Sequence, residues 1–352
     1  MYRRLAHVDA IDEYSRRLVA ALCEAGVPTR YVADGFASAR RQVADPRWML
    51  IQYMPFSYGR WGIAPGLIRE AVAFRRRVGA PLAVSVHEAW VERDDPARAR
   101  WRSTVMGAYQ HAQLASLLQV ADVVIAATQA LVRKLGHDAI HVPVGSNITP
   151  IAIARDAARR RLGLGEEFVV CLFGTGHPSR AMEYAVAAIE LLADTRGPGA
   201  VKVLNLGVGA PQLELAREVA VDTPGHLEAD EISVRLRASD LLILPFTDGI
   251  STRRTTLMAG LSHGLPIMGL SGSATDDVLM TGGDALTLTA VGDIRAFAHA
   301  TVELANSPDR LRRSGASGRA LYARHFDWPV AARRVHGALR DQERGRRSTT
   351  HA

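Results

Sequence analysis

The sequence predicts an α/β protein built as two parallel-sheet halves in series. Three observations lead there. Short apolar runs of strand length alternate with helix-length amphipathic segments along the whole chain, the pattern of a parallel sheet with helices on both faces. The pattern restarts after a Pro-marked break at residues 145–155. The length, 352 residues, exceeds the roughly 250–300 at which a single core stops growing.

In the first half, residues 11–26 read as an amphipathic helix closed by Gly26, followed by a strand at 29–32. Strands follow at 48–53, 81–86, 122–126 and 140–143, separated by helices at 66–78, 101–119 and 129–135. The second half has strands at 168–173, 201–206, 241–245 and 266–269, with helices at 181–193, 229–238, 252–264, 293–306 and 308–326. A last helix at 328–342 is expected to cross back to the first half. The expected division is therefore 1–147, 148–327, the returning helix 328–342 and a basic tail at 343–352. Ligands of such open sheets bind beyond the carboxyl ends of the strands, here in a cleft expected between the halves.

Composition narrows the classes. Hydrophobic residues make up 48% of the chain and aromatics 6%, so Ala, Leu and Val build the interior. No run approaches the ~20 apolar residues of a membrane span, and the first residues lack an apolar signal core; the expectation is a cytoplasmic protein. Cys23 and Cys171 read as small buried hydrophobes. A formal charge of +7 favours anionic partners, and leaves peripheral contact with an acidic membrane surface open. Basic runs at 75–77, 159–161 and 344–347 read equally as solvated helix faces and a disordered tail. No helix-turn-helix signature or aromatic-interleaved basic stripe points to nucleic acid.

Candidate chemistry sits where loops follow strands. Residues 240–269 run strand, Asp248-Gly249-Ile250-Ser251-Thr252, then helix. Gly249 admits close backbone approach and Ser251 or Thr252 can cap the helix, whose free N–H groups favour a phosphate. Arg253 and Arg254 in the first turn would oppose the helix dipole unless an anion offsets them; the alternative is pairing with Asp248. A second loop carries Gly174 and Gly176 and leads to Arg180, able to grip a diphosphate. A third carries Gly207 and Gly209. Each glycine loop alone reads as well as a tight turn. His87 ends a strand beside Glu88, as a packing residue or a catalyst. His7, His87, His111, His137 and His141 lack metal-ligand spacing with Cys or carboxylates, and no Asp-x-Asp occurs, so no metal or cofactor is expected.

In order and spacing, residues 173–183, 206–209, 227–245 and 248–264 and the ending His325-Phe326-Asp327-Trp328 resemble the family-4 glycosyltransferases of the GT-B fold. VHEAW at 86–90 and ADVVIAATQALVRKLG at 121–136 extend the resemblance into the first half. It implies two Rossmann-like domains and a retaining, metal-independent transfer of sugar from a nucleoside diphosphate sugar to an acceptor. It implies Arg180 at the donor diphosphate and Asp248 near the sugar hydroxyls. The backbone of Gly249, Ile250, Ser251 and Thr252 would cradle sugar and phosphate, and His226 and Leu227 would flank the base. His87 would face the reacting sugar. The chain departs from the family at Thr256, where a ribose-contacting glutamate is usual, and at Thr175, where a second basic residue is usual. Arg253 and Arg254 stand in for the lost charge. The family's first strand and Gly-rich loop are replaced by Asp9-Ala10-Ile11-Asp12-Glu13-Tyr14. These departures keep two alternatives in view: a non-catalytic nucleotide-binding or scaffold protein, and a sugar-nucleotide epimerase of the same fold.

Overall fold

The computed structural model describes residues 10–350 apart from 34, 44, 93–99 and 137. His7, His137 and the N-terminal residues read above for a signal core lie outside the described residues. The chain divides into two compact units, one of Met1–Pro143 with Trp328–Ala352 and one of Val144–Asp327.

The N-terminal unit contains α1 (Ala10–Glu24), α2 (Phe36–Gln42), β1 (Met49–Tyr53), α3 (Leu67–Val78), β2 (Leu82–Val86), α4 (Arg100–Gln119), β3 (Val123–Ala126), α5 (Gln129–Leu135) and β4 (Ile140–His141). Its four strands pair in parallel in the order β1-β2-β3-β4. They read as continuous apolar runs because both faces are covered: all of β2 is buried. The expected strand at 29–32 is absent. A cavity of about 1120 Å³ has Val27, Tyr31 and Val32 among its walls, together with Met49, Leu50 and Gln52 of β1. An extended segment with no neighbouring ladder does not become a strand, whatever its β-propensity. The expected strand at 140–143 is also shorter, ending at His141.

The C-terminal unit contains α6 (Arg155–Arg161), β5 (Phe168–Phe173), α7 (Met182–Arg196), β6 (Val201–Leu206), β7 (Ala220–Asp222), α8 (Ala229–Ala238), β8 (Leu241–Leu244), α9 (Thr255–His263), β9 (Ile267–Ser271), α10 (Asp277–Met280), β10 (Thr287–Ala290), α11 (Ile294–Ala305) and α12 (Pro308–His325). Six parallel strands run in the order β10-β9-β8-β5-β6-β7. Strand order therefore reverses between β5 and β8, a switch point that opens a crevice at their carboxyl ends. Val170, Leu172, Ile243 and Met268 pack with Ala185, Ile189 and Phe297 in one core. A buried relay ties the helices on one side: Ile151 N–H donates to Ser233 Oγ at 3.0 Å. Ser233 Oγ lies 2.8 Å from His263 Nε2, and His263 Nδ1 lies 2.7 Å from the Ala259 carbonyl. The carbonyl can only accept, so Nδ1 carries the proton and Ser233 donates to Nε2.

The last helix, α13 (Trp328–Thr350), belongs to the N-terminal unit. It overturns the expected tail at 343–352, since helix continues to Thr350. Side chains hold it: Trp48 Nε1 donates to Glu343 Oε1 at 2.8 Å, and Arg346 pairs with Asp122.

Candidate functional site

The switch point of the C-terminal unit gathers most of the residues singled out from the sequence. Loops after β5 and β8 are sewn together by backbone bonds: Ala181 N–H to the Pro245 carbonyl at 2.7 Å, and Thr247 N–H to the Ser179 carbonyl at 2.9 Å. Arg180 sits on this seam, bridged to Phe246. It is 8% exposed, and its Nη1 donates to the Gly174 carbonyl at 3.2 Å. Its Nε and Nη2 are buried with no hydrogen-bond partner among the described residues. Burial pulls its pKa below the ordinary arginine value, since the charged form is poorly solvated. A buried guanidinium with open donors is costly unless something anionic meets it.

The glycines show why this loop system needs them. A Cβ on Gly176 would stand 2.2 Å from the Gly209 carbonyl oxygen, and one on Gly207 would stand 2.3 Å from that of Gly174. The loops after β5 and β6 therefore interlock backbone to backbone, bringing Gly174, Gly176, Gly207 and Gly209 together. Thr256, in the first turn of α9, lies beside Gly174; its Cγ2 would be 3.5 Å from a Cβ there. Asn205, at the end of β6, is fully buried and leaves Oδ1 without a partner among the described residues.

The loop at 248–254 departs from expectation. Helix α9 starts at Thr255 with Arg254 in the capping position, so neither Ser251 nor Thr252 caps it and the arginines precede its first turn. Thr252 is instead turned toward Asp276: both its N–H and its Oγ1 donate to Oδ2 at 2.7 Å. Ser251 is fully buried, with its Oγ unpartnered among the described residues. Gly249 has φ 86°, and a Cβ there would meet Gly272 N at 2.4 Å, so the loop is clamped against residues 272–276. Ile250 is buried. Both arginines pair with Asp248, Arg254 Nη2 at 2.9 Å and Arg253 Nη2 at 3.5 Å. Arg254 also lies over the Phe246 ring at 4.1 Å and reaches Ser179 Oγ at 3.4 Å.

Asp276 escaped the sequence reading. It is 1% exposed and fixes the shape of the 248–252 loop. The signal was available: Gly272-Ser273-Ala274-Thr275-Asp276 is another small-residue loop at a strand end.

Two sequence candidates lie elsewhere. His226 and Leu227 follow β7, with His226 exposed and its Nε2 3.5 Å from Glu228. His87 follows β2 in the N-terminal unit, and its surroundings are those of the packing residue that the sequence left open beside the catalytic reading. It is 7% exposed; its Nε2 lies 2.8 Å from Gln52 Oε1 and its ring packs edge-on to Tyr14 at 4.6 Å. Burial pushes its pKa down to about 4, so it is a neutral, satisfied core histidine. Among the described residues no group of three or more His, Cys, Asp or Glu is placed to hold a metal ion, and no helix is long and apolar enough to cross a membrane.

The residues around the switch point lie within a stretch, 167–307, that matches the family model for glycosyl transferases group 1. The chain is 22% identical over 272 residues to the MMP alpha-(1->4)-mannosyltransferase of Mycolicibacterium hassiacum, covering 74% of this chain and 65% of that protein. It thus spans just under two thirds of that relative's length. The fold is GT-B, shared with solved glycosyltransferase structures. Anabaena Alr3699/HepE, in complex with UDP and glucose, superposes with a TM-score of 0.64 at 14% identity, over 96% of this chain and 98% of that one. Sucrose-phosphate synthase from Thermosynechococcus elongatus gives 0.60 at 17% identity, over 88% and 77%.

Proposed function

We propose that the protein is a glycosyltransferase whose C-terminal unit binds a nucleoside diphosphate sugar at the β5/β8 switch point. The observation that carries the reading is Arg180: a buried guanidinium with two open donors, beside a glycine that leaves room for a ligand. A diphosphate supplies the missing acceptors and charge. The UDP and glucose in the HepE complex support the same ligand class. The interlocked loops at Gly207 and Gly209, and the stretch at His226 and Leu227, are proposed to flank the nucleoside.

The paired state of Asp248 suggests how the site works. Arg253 and Arg254 neutralise this carboxylate. An arriving diphosphate competes for them, and an arginine that turns to phosphate frees Asp248 to accept from sugar hydroxyls. Arg180 and that arginine then stabilise the charge that develops on the leaving diphosphate, so a metal ion is not needed in the scheme. Retention of configuration is part of the proposal and rests on the family resemblance alone.

The test is titration of UDP and GDP into wild type, Arg180→Ala and Arg254→Ala. A charge-assisted hydrogen bond contributes about 1.5–3 kcal/mol, so the preferred nucleotide should bind each variant at least tenfold more weakly. Unchanged affinity in both variants would reject the site.

One observation favours a second reading, nucleotide binding without transfer: His87 is sealed in its own core. Release of free sugar or of nucleoside diphosphate from a bound nucleotide sugar by wild type separates the two. Binding without either product over a panel of acceptors would support the second reading.

A further inference from the structure

The cavity of about 1120 Å³ in the N-terminal unit has the walls that a sheet gives one of its own strands. One wall is β1, whose other edge is paired with β2. Met49 N–H donates to the Pro81 carbonyl and the Tyr53 carbonyl accepts from His87 N–H, both at 2.9 Å, so these residues turn their backbone toward β2. Backbone groups alternate between the two edges along a strand, and those of Leu50 and Gln52, both lining the cavity, turn toward it. The Gln52 carbonyl accepts from Tyr58 Oη at 2.6 Å and keeps a second lone pair. A second wall is the segment 27–32, which reads as a strand at 29–32 and has no ladder among the described residues. Two helix pairs supply the rest: Leu18 and Leu22 of α1 with Val335 and Leu339 of α13, and Phe36 of α2 with Phe74 of α3, their rings 5.8 Å apart. An apolar space bounded by a strand edge, a strand-like segment and helices suits a strand buried on both faces.

The chain next to α1 has the length and direction to fill it. Nine residues, Met1–Asp9, lie outside the described residues and lead into Ala10, the first residue of α1. Helix α1 begins at the carboxyl end of the sheet: Tyr14 packs at 4.6 Å against His87, which follows β2. A strand that ended at Asp9 would leave the sheet at that end, so it would run parallel to β1. It would continue through α1 into 27–32, a strand–helix–strand unit. Nine extended residues span about 30 Å, against about 17 Å for the five of β1. Leu5, Ala6 and Val8 stand in the half nearest α1. We propose that Met1–Asp9 enters this cavity as a strand parallel to β1 and completes the N-terminal sheet. Segment 27–32 then gains the ladder partner it lacks. The winding reverses beside β1, and a doubly wound sheet opens a ligand crevice at such a reversal.

The test compares the full chain with a variant that starts at Ala10, each alone and with the synthetic peptide Met1–Asp9 or a scrambled peptide of the same composition. Removal should speed amide exchange at Leu50 and Gln52 by about tenfold or more. It should also lower the unfolding midpoint by about 5 °C and open the cavity to the dye anilinonaphthalene sulfonate. The native peptide should reverse all three changes and the scrambled one none. Leu5→Asp with Val8→Asp in the full chain keeps every described residue and should give the same changes, which covers a truncated chain that fails to fold. The proposal falls if exchange at Leu50 and Gln52 is as slow in the double variant as in the full chain, or if the full chain binds the dye as readily as the double variant does. It falls if the scrambled peptide works as well as the native one. It falls equally if the full chain is a dimer that truncation makes monomeric, because a second copy then fills the cavity.

Discussion

The two units are built from the same strand–helix grammar and differ in what stands at their strand ends. In the C-terminal unit the order β10-β9-β8-β5-β6-β7 reverses between β5 and β8, the loops there leave buried polar atoms of Arg180 and Ser251 unmet among the described residues, and Asn205 at the end of β6 leaves another. In the N-terminal unit the described strands run in simple order with no reversal, and the polar residue after β2, His87, already has its partner in Gln52. A parallel sheet makes a ligand crevice where its winding changes direction, not at every strand end. Unmet polar atoms then mark which crevice is meant to be filled.

The strongest way to break this comparison is to remove the unmet group and see what improves. Arg180→Met keeps an apolar stem of similar length and deletes the buried charge. Such replacements are often neutral or stabilising. The ligand-free variant should therefore unfold at the same temperature as wild type or higher, while UDP or GDP binding falls by about tenfold to a hundredfold. Loss of both stability and binding would make Arg180 an ordinary structural residue. At His87 the opposite holds. His87→Ala deletes a satisfied buried ring and should destabilise by about 2–4 kcal/mol while leaving nucleotide affinity intact.

A second variant asks whether the cradle is held from behind. Asp276→Ala removes the acceptor for both Thr252 donors and leaves a buried N–H unmet, at a cost of about 1–3 kcal/mol. Asp276→Asn keeps one acceptor oxygen and should lose less. If the loop shape matters for the ligand, nucleotide affinity falls in the same order. Equal affinity in all three proteins would show that the clamp serves stability alone.

How much of this could be read from the sequence depends on what kind of contact decides each element. Strands buried on both faces, such as Leu82–Val86 and Phe168–Phe173, announce themselves as apolar runs. The edge strands Ala220–Asp222 and Thr287–Ala290 were not legible because half-exposed, mixed sequences carry no such run. Residues 29–32 failed in the other direction: the propensity was there and the ladder partner was not. At the site, glycine loops at strand ends led to Gly174, Gly207 and Gly249, since close backbone approach demands a particular residue. The pairing of Asp248 with Arg253 and Arg254 could be raised only as an alternative, and Asp276 was missed. Which carboxylate meets which donor is settled by loops 24 residues apart in sequence, as for Thr252 and Asp276.

Asp248→Asn sharpens the account of the arginines. The substitution removes the charge that pairs with Arg253 and Arg254. If diphosphate competes with Asp248 for them, UDP or GDP without sugar should bind the variant a few-fold more tightly, since an exposed ion pair contributes up to about 1 kcal/mol. Binding of the full nucleotide sugar should gain less, because the sugar loses its carboxylate. Weaker binding of the free nucleotide would mean that Asp248 orients the arginines and does not compete with the ligand.

The smallest expected effect tests whether both units bury a neutral histidine at equal cost. Burial pushes His87 in one unit and His263 in the other from 6.5 down to about 4. Unfolding exposes both rings, so below pH 6.5 the unfolded chain binds protons that the folded chain refuses. Stability is then present above pH 6.5 and lost as pH falls toward 4. Between pH 7 and 5.5 the loss should be on the order of 1 kcal/mol for each histidine. Measured by denaturant unfolding at intervals across that range, His263→Gln should flatten the pH dependence of the C-terminal unit and His87→Gln that of the N-terminal unit, each against a lower baseline. The rings differ in one respect. His263 has carbonyl and hydroxyl partners on its two nitrogens, and protonation would turn Nε2 from acceptor to donor against Ser233. Ser233 Oγ already accepts from Ile151, so a donor at Nε2 makes it surrender its own proton to another acceptor or break the contact. At His87 the Nε2–H to Gln52 Oε1 contact survives protonation, because both charge states carry that N–H. The His263 variant should therefore flatten the profile more than the His87 variant; the reverse order would show that ring burial alone, and not the relay, sets the cost.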